Sequence, residues 1–161
     1  MRLLKTAFAV GALLWAVPSF AELPISPLKD IYESYNDCFK VATKDGIKPE
    51  MLAPLGWQRA KVSGGGKPKA DEPIIFGHSA RKPIMMLSSP QGDGICIIMA
   101  RLESRQSFEE FKSAWGGKLP KPDANGAITF FAEGHPIQLR QTGTADKPAM
   151  SIVVGMPAKS E

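Results

Sequence analysis

ICIIMARL, residues 95–102, decides how the rest of the chain must be arranged. Successive side chains of an extended strand point to opposite faces. Cys96, Ile98, Ala100 and Leu102 therefore share one face and Ile95, Ile97 and Met99 the other, and neither set is polar. A strand with two apolar faces belongs in the middle of a sheet, with cover on both sides. The remaining sequence has to supply its neighbours and that cover.

Upstream of it lie two shorter apolar runs, PIIFG and PIMML, the second separated from residues 95–102 by SSPQGDG, whose proline and glycines mark a turn. Before them residues 57–62 read as a further strand, followed by SGGGKPKADEP, a flexible loop too short to separate two domains. Downstream, Ser107 and Glu110 have the spacing of a capping box, and Phe108, Phe111 and Trp115 fall on one face of a short helix stopped by Gly116 and Gly117. Three more strands follow: AITFFA, PIQLRQT and AMSIVVG. In the second of these Ile137 and Leu139 alternate with Gln138 and Arg140, the pattern of a strand with one wet face.

A first helix opens near Ser26, an N-cap residue type, with Pro27 in the first helical position. Leu28, Ile31, Tyr32, Tyr35, Cys38, Phe39 and Ala42 recur at helical spacing, and Lys44 and Gly46 suit a last turn and its left-handed cap. Strand-rich hairpins punctuated by two helices predict an α+β fold: an antiparallel sheet of about six to seven strands with two helices packed on one face. A helix-plus-three-strand duplication is a further expectation. Residues 82–99 and 135–154 each place a basic or imidazole side chain before Pro-Ile, and Asp93 and Asp146 follow Pro83 and Pro136 by the same interval.

The start of the chain reads separately. Arg2 and Lys5 precede an uncharged run from Thr6 to Val17, then Pro18, then small residues at Ser19 and Ala21, which is the tripartite pattern of a signal peptide. The expected organisation is residues 1–21 as signal peptide and 22–161 as a single exported domain, periplasmic or secreted. The apolar run falls short of the roughly 20 residues a spanning helix needs, so no stable membrane insertion is expected after cleavage. Arg2 and Lys5 account for two of the 20 basic residues and none of the 16 acidic ones, leaving +2 from Glu22 onward. Nucleic-acid binding requires clustered basic residues, and the densest group, Lys67, Lys69, Arg81 and Lys82, is interrupted by Asp71 and Glu72 and reads as a solvated loop.

Export gives the two cysteines a meaning. In an oxidising compartment a helix lying on the sheet can bring Cys38 against the inward-facing Cys96, and the expected disulfide is Cys38–Cys96, the competing reading being two buried free thiols. No C-x-x-C is present for redox catalysis.

Catalytic signatures are absent. His78 and His135 lack a third ligand at metal spacing, Ser88 and Ser89 lack a G-x-S-x-G elbow, and the glycines of VSGGGKPK lack the spacing of a phosphate loop. No catalytic residue, metal ligand or cofactor is assigned. The alternatives kept open are a small hydrolase using His78 or His135 with a serine, and a copper-binding protein using histidines and Met85, Met86, Met99, Met150 and Met156. The leading expectation is a non-catalytic binding or inhibitor-type module acting on an envelope protein. Its candidate binding face is Ile95, Ile97 and Met99, which needs cover that a second sheet layer, a homodimer or a bound apolar ligand could each supply, and which, left uncovered, would be an interaction surface.

Overall fold

A computed structural model describes residues 23–60, 72–88 and 94–157. The signal-peptide assignment, Lys67, Lys69 and Asp93 lie outside them. Helix α1 is Leu28–Val41 and α2 is Arg105–Ser113. A small hairpin, β1 (Ala42–Thr43) and β2 (Gly46–Ile47), and two 3-10 turns, Pro49–Met51 and Ala53–Leu55, lead into the main sheet. Its strands are β3 (Trp57–Arg59), β4 (Ile74–His78), β5 (Ile84–Leu87), β6 (Ile95–Arg101), β7 (Ala127–Ala132), β8 (His135–Gly143) and β9 (Pro148–Gly155).

These seven strands are antiparallel throughout, in the order β3-β4-β5-β6-β9-β8-β7. The two-sided apolar strand, β6, is the fourth of seven. It joins two meanders by a continuous ladder with β9 from Ile95↔Gly155 to Arg101↔Ala149. Both helices cover one face, where Cys96, Ile98, Met150, Ile152, Val154, Ile137 and Leu139 are buried with Ile31, Cys38, Val41, Phe108 and Phe111. The disulfide Cys38–Cys96 forms, with a Cα–Cα distance of 5.6 Å, and fixes α1 to the central strand. The helices meet through aromatic rings: Tyr32 stacks on Phe111 at 4.5 Å and donates its hydroxyl to the Phe111 carbonyl at 2.6 Å, and Trp115 lies between Tyr35 and Phe130.

Several boundaries differ from expectation. Ser26 does not cap α1, because its backbone N–H is drawn to the Arg101 carbonyl at 2.8 Å, tying the approach segment to the end of β6; Pro27 takes the cap position without a side-chain bond. The helix also ends at Val41, before Lys44. Thr43 is β-branched and its hydroxyl bonds the Gly46 carbonyl at 2.8 Å, closing a hairpin that turns on Lys44 and Asp45 and in which Gly46 (φ 116°) opens β2. At α2 the reciprocal capping box is Ser104 with Ser107, three residues earlier than expected: each side-chain oxygen accepts the other's backbone N–H.

The duplication is not confirmed. Matching Pro83 to Pro136 equates Ile84 with Ile137, yet Ile84 lies on the face away from the helices while Ile137 is 1 % exposed beneath them. Ile97 and Met150 are opposed in the same way. A shift of one residue inverts a strand, so the shared Pro-Ile dipeptides do not mark equivalent positions.

Candidate binding face

Pairing registers place the side chains of the helix-free face in rows across the sheet. One row runs Ile75, Met86, Ile97, Val153, Gln138, Thr129. The next runs Ile84, Met99, Ser151, Arg140, and Ile95 begins a third beside Gly155. Across β4, β5, β6 and β9 the face is thus mainly apolar, with Ser151 and, at the end of β6, Arg101 as polar members; it turns polar with Gln138 and Arg140 on β8, and β7 adds Thr129 and Phe131. Ile75, Ile84, Met86, Ile95, Ile97, Met99 and Val153 are all half-buried, whereas their alternating neighbours Met85, Leu87, Cys96 and Ile98 are fully buried. Among the described residues no element crosses this face. A contiguous apolar patch on a sheet face is often functional.

The expected face, Ile95, Ile97 and Met99, is therefore the middle of a broader surface. Ile75, Ile84, Met86 and Val153 were missed because each sits in a short run whose facing depends on register, which sequence alone does not supply.

A second constellation lies under the end of α1. The side chain of Asp37 is 5 % exposed. Its Oδ2 accepts the Trp57 indole N–H at 3.0 Å and pairs with Arg81 at 2.9 Å, while Oδ1 accepts from Lys40 at 3.0 Å. Arg81 also lies over the Trp57 ring at 5.6 Å and 3.6 Å from Glu33. Burial alone would raise the Asp37 carboxyl; the bonds from Trp57, Lys40 and Arg81 and the Arg81 charge outweigh it and hold it below the usual carboxylate range. Arg81 is thus a buried-face ion-pair residue and not part of a solvated basic loop. The apolar stripe Leu28, Ile31, Tyr32, Tyr35, Cys38, Phe39 and Ala42 carries no signal for it, because Asp37 lies on another side of the helix, where packing buries it with Ser34 and Val41 and a carboxylate requires partners.

The two histidines are held by backbone. His78 accepts the N–H groups of Ala80 and Arg81 at Nδ1, at 3.0 and 3.1 Å, so Nε2 carries the proton and donates to the Leu55 carbonyl at 2.8 Å. Gly56, at φ 90°, makes room for that ring: a Cβ there would sit 2.8 Å from Nε2. His135 is buried, donates Nδ1–H to the Gly155 carbonyl at 2.8 Å and meets the Phe39 ring edge-on. The histidines stand on different strands, and among the described residues no serine hydroxyl bonds either ring. The methionines divide between faces, Met85 and Met150 inward, Met86 and Met99 outward. Among the described residues no three His, Cys, Asp or Glu side chains are grouped to hold a metal ion, and no helix is long and apolar enough to cross a membrane.

No family model matches this chain, and neither the curated proteins nor the solved structures contain a match.

Proposed function

We propose that this chain is an exported, non-catalytic binding module that docks a protein of the cell envelope through the open face of its sheet, as an inhibitor or adaptor. The observation that carries the reading is the apolar block Ile84, Met86, Ile95, Ile97, Met99 and Val153, only partly buried on a sheet whose other face is closed. Export is supported by the pattern of residues 1–21 and by the disulfide between the only two cysteines. Both histidine rings are committed to backbone bonds and the methionines to two faces, so neither the hydrolase nor the copper reading gains support.

The test is capture from the native envelope by the oxidised protein and by Met99→Lys. Expected is a defined partner retained by the native protein and lost by the variant, whose melting temperature stays within about 3 °C of the native value. Equal capture by both proteins, or a collapse of the variant's thermal stability, would overturn the reading.

A further inference from the structure

The sheet also has two edges, and they differ. β3 is three residues long with exposed Gln58 and Arg59 side chains, the short, charged form in which natural sheets guard an edge. β7, at the opposite end, is Ala-Ile-Thr-Phe-Phe-Ala, with no charge, no proline and no bulge in its ladder with β8. Phe131 on it is 74 % exposed, more than any other large apolar side chain among the described residues.

The backbone of β7 shows which of its groups are open. The N–H of Ala127 donates to Asp123 Oδ1 at 2.9 Å and the Ala127 carbonyl accepts the Asp123 N–H at 2.8 Å, so both point away from β8 and are closed off by Asp123. At the other end the hairpin turns on Glu133 (φ 53°) and Gly134 (φ 82°), and in a two-residue loop of this kind the flanking pair, Ala132 and His135, is the hydrogen-bonded one. The two ends agree. Ile128, Phe130 and Ala132 face β8, and by alternation Thr129 and Phe131 present their N–H and C=O groups outward. Two adjacent ladder positions, four backbone groups, are thus set in strand geometry on an unguarded edge.

The flanks say what would add there. Asp123 closes one end of the lane and Glu133 stands at the other, both exposed. A second copy pairing antiparallel through the open positions would set Thr129 against Phe131 of its neighbour. Glu133 of that neighbour would then enter the lane Asp123 already occupies, carboxylate against carboxylate. Arg140 interacts with Asp123 from the inner strand, so the conflict is partly screened but the steric block stays. A segment with cations at its ends reverses the charge conflict, and its free end, unlike a strand continued into a hairpin, can turn out of the lane.

We propose that β7 is a docking edge for a short extended segment of a partner protein, carrying two β-branched or aromatic residues two apart and Lys or Arg at its ends. Its two apolar side chains lie beside Thr129 and Phe131 on the open side of the sheet, and main-chain bonds to those two residues supply the affinity, as in strand addition generally. This surface is separate from the block on β4, β5, β6 and β9, and the inference does not depend on that block having a partner.

The probe is the acetylated, amidated heptapeptide KTVAVTK, titrated into the purified, oxidised protein and followed by amide chemical shifts. Expected are saturable shifts centred on residues 127–132, binding weaker by at least about tenfold for ETVAVTE at low salt, and convergence of the two peptides as salt is raised. Thr129→Pro removes only an outward N–H and is expected to fold and to lose at least about tenfold in affinity. Should that variant not fold, N-methylation of both peptide valines makes the same test on the native protein. No saturable binding, shifts confined to other strands, or indifference to both Thr129→Pro and N-methylation would overturn the proposal. So would a dimer in sedimentation that Thr129→Pro dissolves, since it would make the occupant a second copy.

Discussion

Ile97 and Ile98 are chemically identical neighbours in the middle of one strand, and they live in different solvents. Ile98 is 0 % exposed in the core shared with Cys38, Val41 and Ile152, while Ile97 is only partly buried between Met86 and Val153 on the helix-free face. The helices close one side of the sheet and stop there. Similar apolar content on two faces therefore has two environments: on the covered side it is closed into the core, and on the helix-free side it is only partly buried.

That contrast can be broken most directly by placing the same charge at both positions. Ile98→Lys buries an unpaired ammonium and is expected to cost more than about 5 kcal/mol, leaving no cooperative thermal transition. Next in size is the covered side's covalent tie. Replacing Cys38 and Cys96 together by alanine removes a crosslink spanning 58 residues and is expected to lower stability by about 4 kcal/mol on the chain-entropy account, read from denaturant midpoints. Asp37→Asn should cost about 3 kcal/mol by leaving Arg81 short of its partner. It should also change the acid limb. The native-state carboxyl is held low, so its contribution is complete above the ordinary carboxylate pKa near 4 and fades as pH falls below it. Melting temperatures from pH 6 to 2.5 should thus fall less steeply in the variant than in the native protein. The smallest effect belongs to Ile97→Lys, expected within about 1 kcal/mol because the lysine stem can lie along the face with its head in water. Equal losses at 97 and 98 would mean that both faces are core.

Much of the covered side was legible in the sequence. Helical spacing put Ile31, Tyr35 and Cys38 on one stripe, alternation put Cys96 and Ile98 on one strand face, and the two readings met in the disulfide. The bare face was legible only in its central strand, because β6 is long enough to show its period while β4 and β5 are not. What failed did so for local reasons. Ser26 and Lys44 carry the right residue types for helix ends, yet tertiary bonds to Arg101 and a Thr43-centred hairpin took those positions. The open edge at Thr129 and Phe131 depends on which way a strand's carbonyls point, a property set by the Asp123 bond and the Glu133–Gly134 turn and invisible to hydrophobic pattern.

The crosslink joins α1 to β6, and both cysteines precede α2. Nothing covalent holds β7, β8 and β9 except the chain itself, and their attachment to the stapled half is the β6–β9 ladder, the aromatic contacts of α2, the Phe39–His135 contact and the core shared with α1. Protection against amide hydrogen exchange should accordingly be uneven. The unit formed by α2, β7 and β8 opens as a sub-global event below the global unfolding free energy, and the stapled unit exchanges last. Reduction erases that ordering, because it lowers the barrier of the first half and leaves the second as it was.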